Sequence, residues 1–154
     1  MSTHKRFVVD ALCRVAAGGE AELGRHLAAA YAPDAQWRGS HPLNETQGLA
    51  DIEARVWRPL LQAMPDLERR DELVLQGHYA GNDFVGAVGH YLGTFRNDWL
   101  GIPASGQTAY LRYGEVHAVA GGRIVQTTML VDVLDLMRQA GCWPLGPSTG
   151  AEGR

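Results

Sequence analysis

Asp132 is the residue whose type and setting most suggest chemistry. It stands in Leu130-Val131-Asp132-Val133-Leu134, a lone carboxylate among apolar neighbours. Such a group either caps the helix-like run that follows it, or is buried with a raised pKa and can take or hold a proton near neutral pH. Its surroundings follow from a turn. Gly121-Gly122 separates two strand-like runs and predicts a two-residue hairpin, because both turn positions need positive φ. With Ala120 opposite Arg123, His117 falls opposite Gln126, Glu115 opposite Thr128, Tyr113 opposite Leu130 and Leu111 opposite Asp132. Period two then sends all eight side chains to one face. That face mixes polar, aromatic and titratable groups, as a ligand-lined hollow or a solvent face would. Glu115 lies roughly 13 Å along the strand from Asp132, too far to share a proton. Tyr113, a diagonal neighbour at about 7–8 Å, is the nearer partner.

Other chemistry finds less footing. The six histidines (4, 26, 41, 78, 90 and 117) show no His-x-x-x-His helix and no metal spacing, so no metal is expected. Gly77-His78-Tyr79 and Gly89-His90-Tyr91 repeat a pattern on neighbouring candidate strands, which makes His90 a candidate lining residue. No Gly-x-Ser-x-Gly elbow joins a strand to a helix, the one match being Gly146-Pro-Ser-Thr-Gly150 in the polar tail, and phosphate-binding and dinucleotide-binding loops are absent. Trp37, Trp57 and Trp99 read as core or pocket wall.

The elements that must position these groups come in two blocks. Phe7, Val8, Ala11, Leu12, Val15 and Ala16 make one helical stripe, ended by Gly18-Gly19. Leu23, Leu27 and Ala30/Tyr31 make a second that runs toward Pro33. Ala35–Arg38 suggests a short edge strand. A third helix is predicted from about Thr46, capped by Asn44 or Thr46, with Leu49, Ile52, Val56 and Leu60 inward and a kink or break at Pro59. From Leu67 the pattern changes to strands over 68–79, 84–96, 108–119 and 123–132, and Leu134–Ala140 predicts a last short helix. Helices first and strands afterwards predict an α+β domain over residues 1–145, with a disordered polar tail at 146–154.

Composition excludes some functions. The chain has 154 residues, 45% hydrophobic and 20% charged, with a net charge of −3 and no clustering of basic residues. Nucleic-acid binding is therefore not expected. Two unspaced cysteines, no signal-peptide h-region and no apolar run near the roughly 20 residues of a membrane span predict a soluble cytoplasmic protein.

The order helix, helix, short strand, helix, long antiparallel sheet resembles the nuclear-transport-factor-2-like cone. Within it, Gly101-Ile-Pro-Ala-Ser-Gly106, Gly122-Arg-Ile-Val-Gln126, Val131-Asp132-Val-Leu-Asp-Leu-Met-Arg-Gln-Ala-Gly141 and Met64-Pro65-Asp66-Leu67 resemble the SnoaL-like polyketide cyclases and their ester-cyclase relatives. The resemblance covers residues 7 to 141. It implies helices packed on a strongly curved antiparallel sheet that encloses a pocket, and a homodimer formed through the outer sheet face. It also implies acid/base ring closure of a hydrophobic, carbonyl-bearing small molecule without metal or organic cofactor. Asp132 matches the family's general acid/base, and Trp37, His90, Tyr113, Glu115, His117, Gln126, Thr128 and Leu130 would line the substrate. Relatives often carry Glu-His-Trp where this chain has Gln126-Thr127-Thr128. An isomerase, a dehydratase, an epoxide hydrolase or a non-catalytic binding module on the same cone are the alternatives. An epoxide hydrolase would want an Asp-Arg-Asp constellation around a water, and Arg112 lies on the wrong face to supply it.

Overall fold

A computed structural model describes residues 3–147 and Gly150; most of the 146–154 tail lies outside the described residues. Helices α1 (Thr3–Ala17) and α2 (Gly19–Ala30) bury the two stripes read from the sequence, Val8/Ala11/Leu12/Val15/Ala16 and Leu23/Leu27/Ala30. Strands β1 (Tyr31–Gly39) and β2 (Glu45–Gln47) follow. A broken helix comes next: α3 (Leu49–Ile52), a π-helical turn (Glu53–Trp57) and α4 (Arg58–Ala63). Four strands then alternate with turns: β3 (Glu68–Tyr79), β4 (Asn82–Thr94), β5 (Thr108–Ala120) and β6 (Arg123–Val131). Helix α5 (Val133–Gln139) ends the regular structure.

The strands form one sheet in the order β2-β1-β6-β5-β4-β3. It is mixed rather than antiparallel, because β1 runs parallel to β6. That pairing corrects the expected edge strand: β1 is nine residues long and sits between β2 and β6. Thr46 belongs to β2, and Gly48, not Asn44 or Thr46, precedes α3. Pro59 stands in the first turn of α4. It has no N–H to give an α-helical bond, and the wider π turn stands immediately before it. The sheet curves around the helices without closing, and buried residues of α1, α2, α4 and its concave face form one cluster.

The β5–β6 hairpin carries the correction that matters most for the site. Gly121 and Gly122 do take positive φ, 57° and 71°, and Ala120 does face Arg123. A bulge follows at once: Val119 faces Ile124, but Ala118 faces Gln126. One extra residue on β6 shifts every later pair, so His117 faces Thr127, Glu115 faces Met129 and Tyr113 faces Val131. Because side chains alternate, a one-residue slip turns the whole strand over. Thr127 and Met129 are buried, while Thr128 and Leu130 are exposed.

Candidate functional site

The concave face of β3, β4 and β5 presents a row of buried polar groups. Leu67 is buried at the entry to β3, and period two from it carries Arg69 and Asp71 inward before a bulge between Asp71 and Leu73. Tyr91 comes from β4, and Tyr113, Glu115 and His117 alternate inward along β5. Thr127 arrives from β6 because of the bulge, and Tyr31 from the start of β1.

These side chains join into one chain of contacts. Arg69 Nη2 donates to Asp71 Oδ1 at 2.6 Å and to Glu115 Oε1, Arg69 Nε reaches Asp71 Oδ2 at 3.2 Å, and Nη1 donates to the Tyr91 hydroxyl at 3.2 Å. The Tyr113 hydroxyl donates to Asp71 Oδ1 at 2.7 Å. The Arg69 guanidinium also lies 4.6 Å from the centre of the Tyr113 ring, a cation–π contact. On the far side, His117 Nε2 lies 2.9 Å from Glu115 Oε1, and Nδ1 lies 2.8 Å from Thr127 Oγ1, itself 3.2 Å from the Tyr31 hydroxyl. The Glu115 contact is close but poorly directed for a hydrogen bond, so we read it as a charge contact.

Electrostatics fix which groups carry charge. Burial alone would push the Glu115 carboxyl up, but His117 and Arg69 outweigh it and hold that carboxyl at about 2. Burial opposes the charge on Arg69, yet Tyr91, Glu115 and Tyr113 more than compensate and push it above its ordinary value. Burial pushes the hydroxyls of Tyr31, Tyr91 and Tyr113 up, so all three are proton donors at neutral pH. An ionised Glu115 can only accept, so His117 Nε2, the ring nitrogen that faces it, carries a proton. Thr127 Oγ1 lies within hydrogen-bond distance of Nδ1 and donates to the Tyr31 hydroxyl. Of the two acids, Asp71 is the less sealed, with a side chain 9% exposed against 2% for Glu115.

Beside this polar row lies an apolar pocket walled by Trp37, Trp57, Leu60, Tyr91, Trp99 and Met129, with about 10 Å³ free, room for one water at most. Tyr91 belongs to both: its hydroxyl bonds Arg69, its ring lies 4.7 Å from that of Tyr113 and meets Trp57 edge-on at 6.0 Å. The arrangement offers carboxylates, a fixed cation and phenols that adjoin an aromatic pocket through Tyr91, the equipment for moving a proton on an apolar molecule. Among the described residues, no three His, Cys, Asp or Glu side chains are grouped as a metal would require.

The residues singled out from the sequence divide. Trp37, Tyr113, Glu115 and His117 come together at the site. Gln126, Thr128 and Leu130 do not; the bulge turns them to the convex face. His90 also faces outward, its Nδ1 2.8 Å from Glu72 Oε1 and its ring against Tyr110. Asp132 lies past the end of β6, exposed, and its Oδ1 accepts from the Asp135 N–H at 3.0 Å as the N-cap of α5. The helix-cap alternative describes this geometry, and the expected approach of Tyr113 to Asp132 is replaced by one to Asp71. Arg69, Asp71, Tyr91, Tyr31 and Thr127 were not anticipated. Gly89 offered a signal: a Cβ there would stand 2.7 Å from the Tyr113 hydroxyl, and a glycine inside a strand often marks such a close approach.

A family model described as SnoaL-like polyketide cyclase matches residues 14–140. The chain belongs to the SnoaL-like polyketide cyclase family. Solved structures agree on the fold. A candidate SnoaL-like polyketide cyclase from Jannaschia sp. CCS1 is 20% identical, with a TM-score of 0.70 over 94% of this chain and 98% of that one. IdmH from Streptomyces antibioticus, a candidate polyketide cyclase, is also 20% identical, with a TM-score of 0.72 over 89% and 98%. A nuclear-transport-factor-2-like protein from Burkholderia thailandensis E264 is 25% identical, with a TM-score of 0.63 over 92% and 98%. No curated protein matches. In this SnoaL-like chain the extra β6 residue directs Thr127, rather than Gln126 or Thr128, toward the ring of His117.

Proposed function

We propose that this SnoaL-like protein is an acid/base enzyme that closes a ring in an apolar, carbonyl-bearing small molecule, with its reaction centre at Asp71, Arg69 and Tyr113. The observation that carries the reading is the carboxylate–guanidinium–phenol cluster, which adjoins an aromatic pocket through Tyr91. Asp71 takes a proton from a carbon flanked by carbonyls. The enolate carbon then attacks a second carbonyl carbon of the same molecule, and the new alkoxide takes the proton back, by way of the Tyr113 hydroxyl. The product is an isomer of the substrate. Arg69 favours the developing negative charge without having to reorganise, and the dry surroundings strengthen that effect.

The test is turnover of an open-chain aromatic β-keto ester bearing a second ketone, followed by the appearance of a product of unchanged mass. Asp71→Asn is expected to slow it about a hundredfold, the usual size of a lost general base. Asp132→Asn, which keeps a good helix cap, is expected to leave it within about twofold of the original rate. Loss of activity only in the Asp132 variant would return the reaction to the strand end and sink this reading.

A second reading is favoured by one feature: Arg69 is flanked by Asp71 and Glu115, the carboxylate–arginine–carboxylate grouping sought in vain around Arg112. Such a grouping suits water addition to an epoxide. A cyclic epoxide offered to the protein, and gain of one water in the product, would select that chemistry over ring closure.

The convex face supports a homodimer. Leu73, Leu75, Val88, Val116 and Leu130 are about half exposed or more and line one continuous apolar hollow on it. Leu130→Arg is expected to convert a dimer to a monomer in sedimentation velocity at micromolar concentration. A wild-type protein that already sediments as a monomer would remove this expectation.

A further inference from the structure

Asp71, Gly89 and Tyr113 form one row across three strands: Asp71 pairs with Gly89 in the β3–β4 ladder, and Gly89 with Tyr113 in the β4–β5 ladder. Two strand spacings put the Asp71 and Tyr113 backbones roughly 10 Å apart. The Tyr113 hydroxyl nevertheless donates to Asp71 Oδ1 at 2.7 Å. It reaches that oxygen by lying across the place where a side chain of residue 89 would stand. A Cβ on Gly89 would come within 2.7 Å of the hydroxyl oxygen and 2.1 Å of the Arg70 carbonyl oxygen, both far inside van der Waals contact. The neighbouring row behaves differently. Arg69 pairs with Tyr91 and Tyr91 with Leu111, and there the side chain on the middle strand takes the contact: Arg69 Nη1 donates to the Tyr91 hydroxyl. Gly89 does not have a positive φ, so its backbone makes no demand for glycine. The space above it does.

The Arg70 carbonyl stands just before Asp71, where the β3 bulge begins, and bulges beside sites re-aim side chains. We infer that Gly89 is a positioning residue: having no side chain, it lets the β3 backbone and the Tyr113 phenol close over it, and so fixes the contact between Asp71 and Tyr113. The inference rests on the reading that Asp71 takes the substrate proton and Tyr113 returns it. In that reading the contact is the path of return. As the phenol gives its proton to the new alkoxide, it takes the one held on Asp71, so both residues end as they began. A side chain at position 89 would part the two oxygens and leave the proton on Asp71 without a route through Tyr113.

The experiment compares Gly89→Ala, Tyr113→Phe and the double variant of the full-length protein. The chain has five tyrosines, so labelling with ¹³Cζ-tyrosine gives five signals, assigned by replacing each tyrosine with phenylalanine. Asp71→Asn identifies the shift that follows loss of the Tyr113 contact. Gly89→Ala is expected to move the Tyr113 signal in the same direction and by at least half as much, with Tyr79 and Tyr110 unmoved. This measurement needs no substrate. In turnover of the β-keto ester, Gly89→Ala and Tyr113→Phe are each expected to lower kcat about a hundredfold with KM within about threefold. In the Tyr113→Phe background, Gly89→Ala is expected to lower kcat by less than about twofold more, because the contact is already gone. A Tyr113 signal unmoved in folded Gly89→Ala, or losses in kcat that multiply, overturns the inference. Should Gly89→Ala fail to fold, the double variant decides. Recovery of the fold on removing the Tyr113 hydroxyl bears the inference out, whereas failure assigns Gly89 to packing against Arg70 alone and overturns it. A Tyr113 signal that follows Gly89 while Tyr113→Phe turns over normally keeps the positioning and sinks the reaction. Lost turnover in Tyr113→Phe with that signal unmoved does the reverse.

Discussion

Arg69→Met is expected to lower the stability of the folded protein by about 3–5 kcal/mol, the usual cost of removing one partner from a buried ion pair. Arg69 has a fully buried side chain and serves two carboxylates, Asp71 and Glu115, at once. Methionine fills much of the same volume, so the loss reports charge rather than a cavity. With the cation gone, two acids face each other in a medium that solvates neither. The informative measurement is a double-mutant cycle by urea unfolding. Glu115→Gln alone removes one acceptor while leaving Arg69 paired to Asp71, and is expected to cost less. In the Arg69→Met background the same change relieves an uncompensated charge, so the double variant is expected to be more stable than Arg69→Met. Additive losses, or a cost below about 1 kcal/mol for Arg69→Met, would show that the network does not hold these charges in the way its geometry requires.

The same residues show how far the sequence can be read. The four long strands, the three buried helical stripes and the Gly-Gly turn are legible because apolar period and turn chemistry are local properties. The inward course of Tyr113, Glu115 and His117 along β5 follows from that turn. What fails is the next strand. A bulge beside the hairpin has no signal in Val119-Ala120-Gly121-Gly122-Arg123-Ile124, yet it inverts Gln126, Thr128 and Leu130 and brings in Thr127. Arg69 and Asp71 were hidden for another reason. In Glu68-Arg69-Arg70-Asp71 all four residues are charged, so alternation between faces leaves no hydrophobic trace, and the run reads as solvated. Only Leu67 before it sets the phase. The cap role of Asp132 is local too, set by the helix-like run that follows it.

Glu115 supplies the second large effect, and its dependence on pH gives it a sign. In the folded protein its carboxyl sits at about 2, against an ordinary value of 4.5. A depressed acid stabilises the fold while it is ionised in the native state, so the contribution is complete above about pH 4.5 and is lost as pH falls toward 2. The difference corresponds to about 3 kcal/mol. Burial works against this ionisation, so the whole of it depends on His117 and Arg69. The stability gap between the native sequence and Glu115→Gln, measured by urea unfolding, is therefore expected to stay constant from pH 7 to pH 5 and then narrow by more than about 1 kcal/mol by pH 3. Exposed carboxylates such as Asp66 and Asp83 titrate in both proteins and cancel in the difference. A gap that stays level through pH 3 would mean that folding does not depress the Glu115 carboxyl. Arg69 and His117 would then do no more than offset the cost of burying that carboxylate.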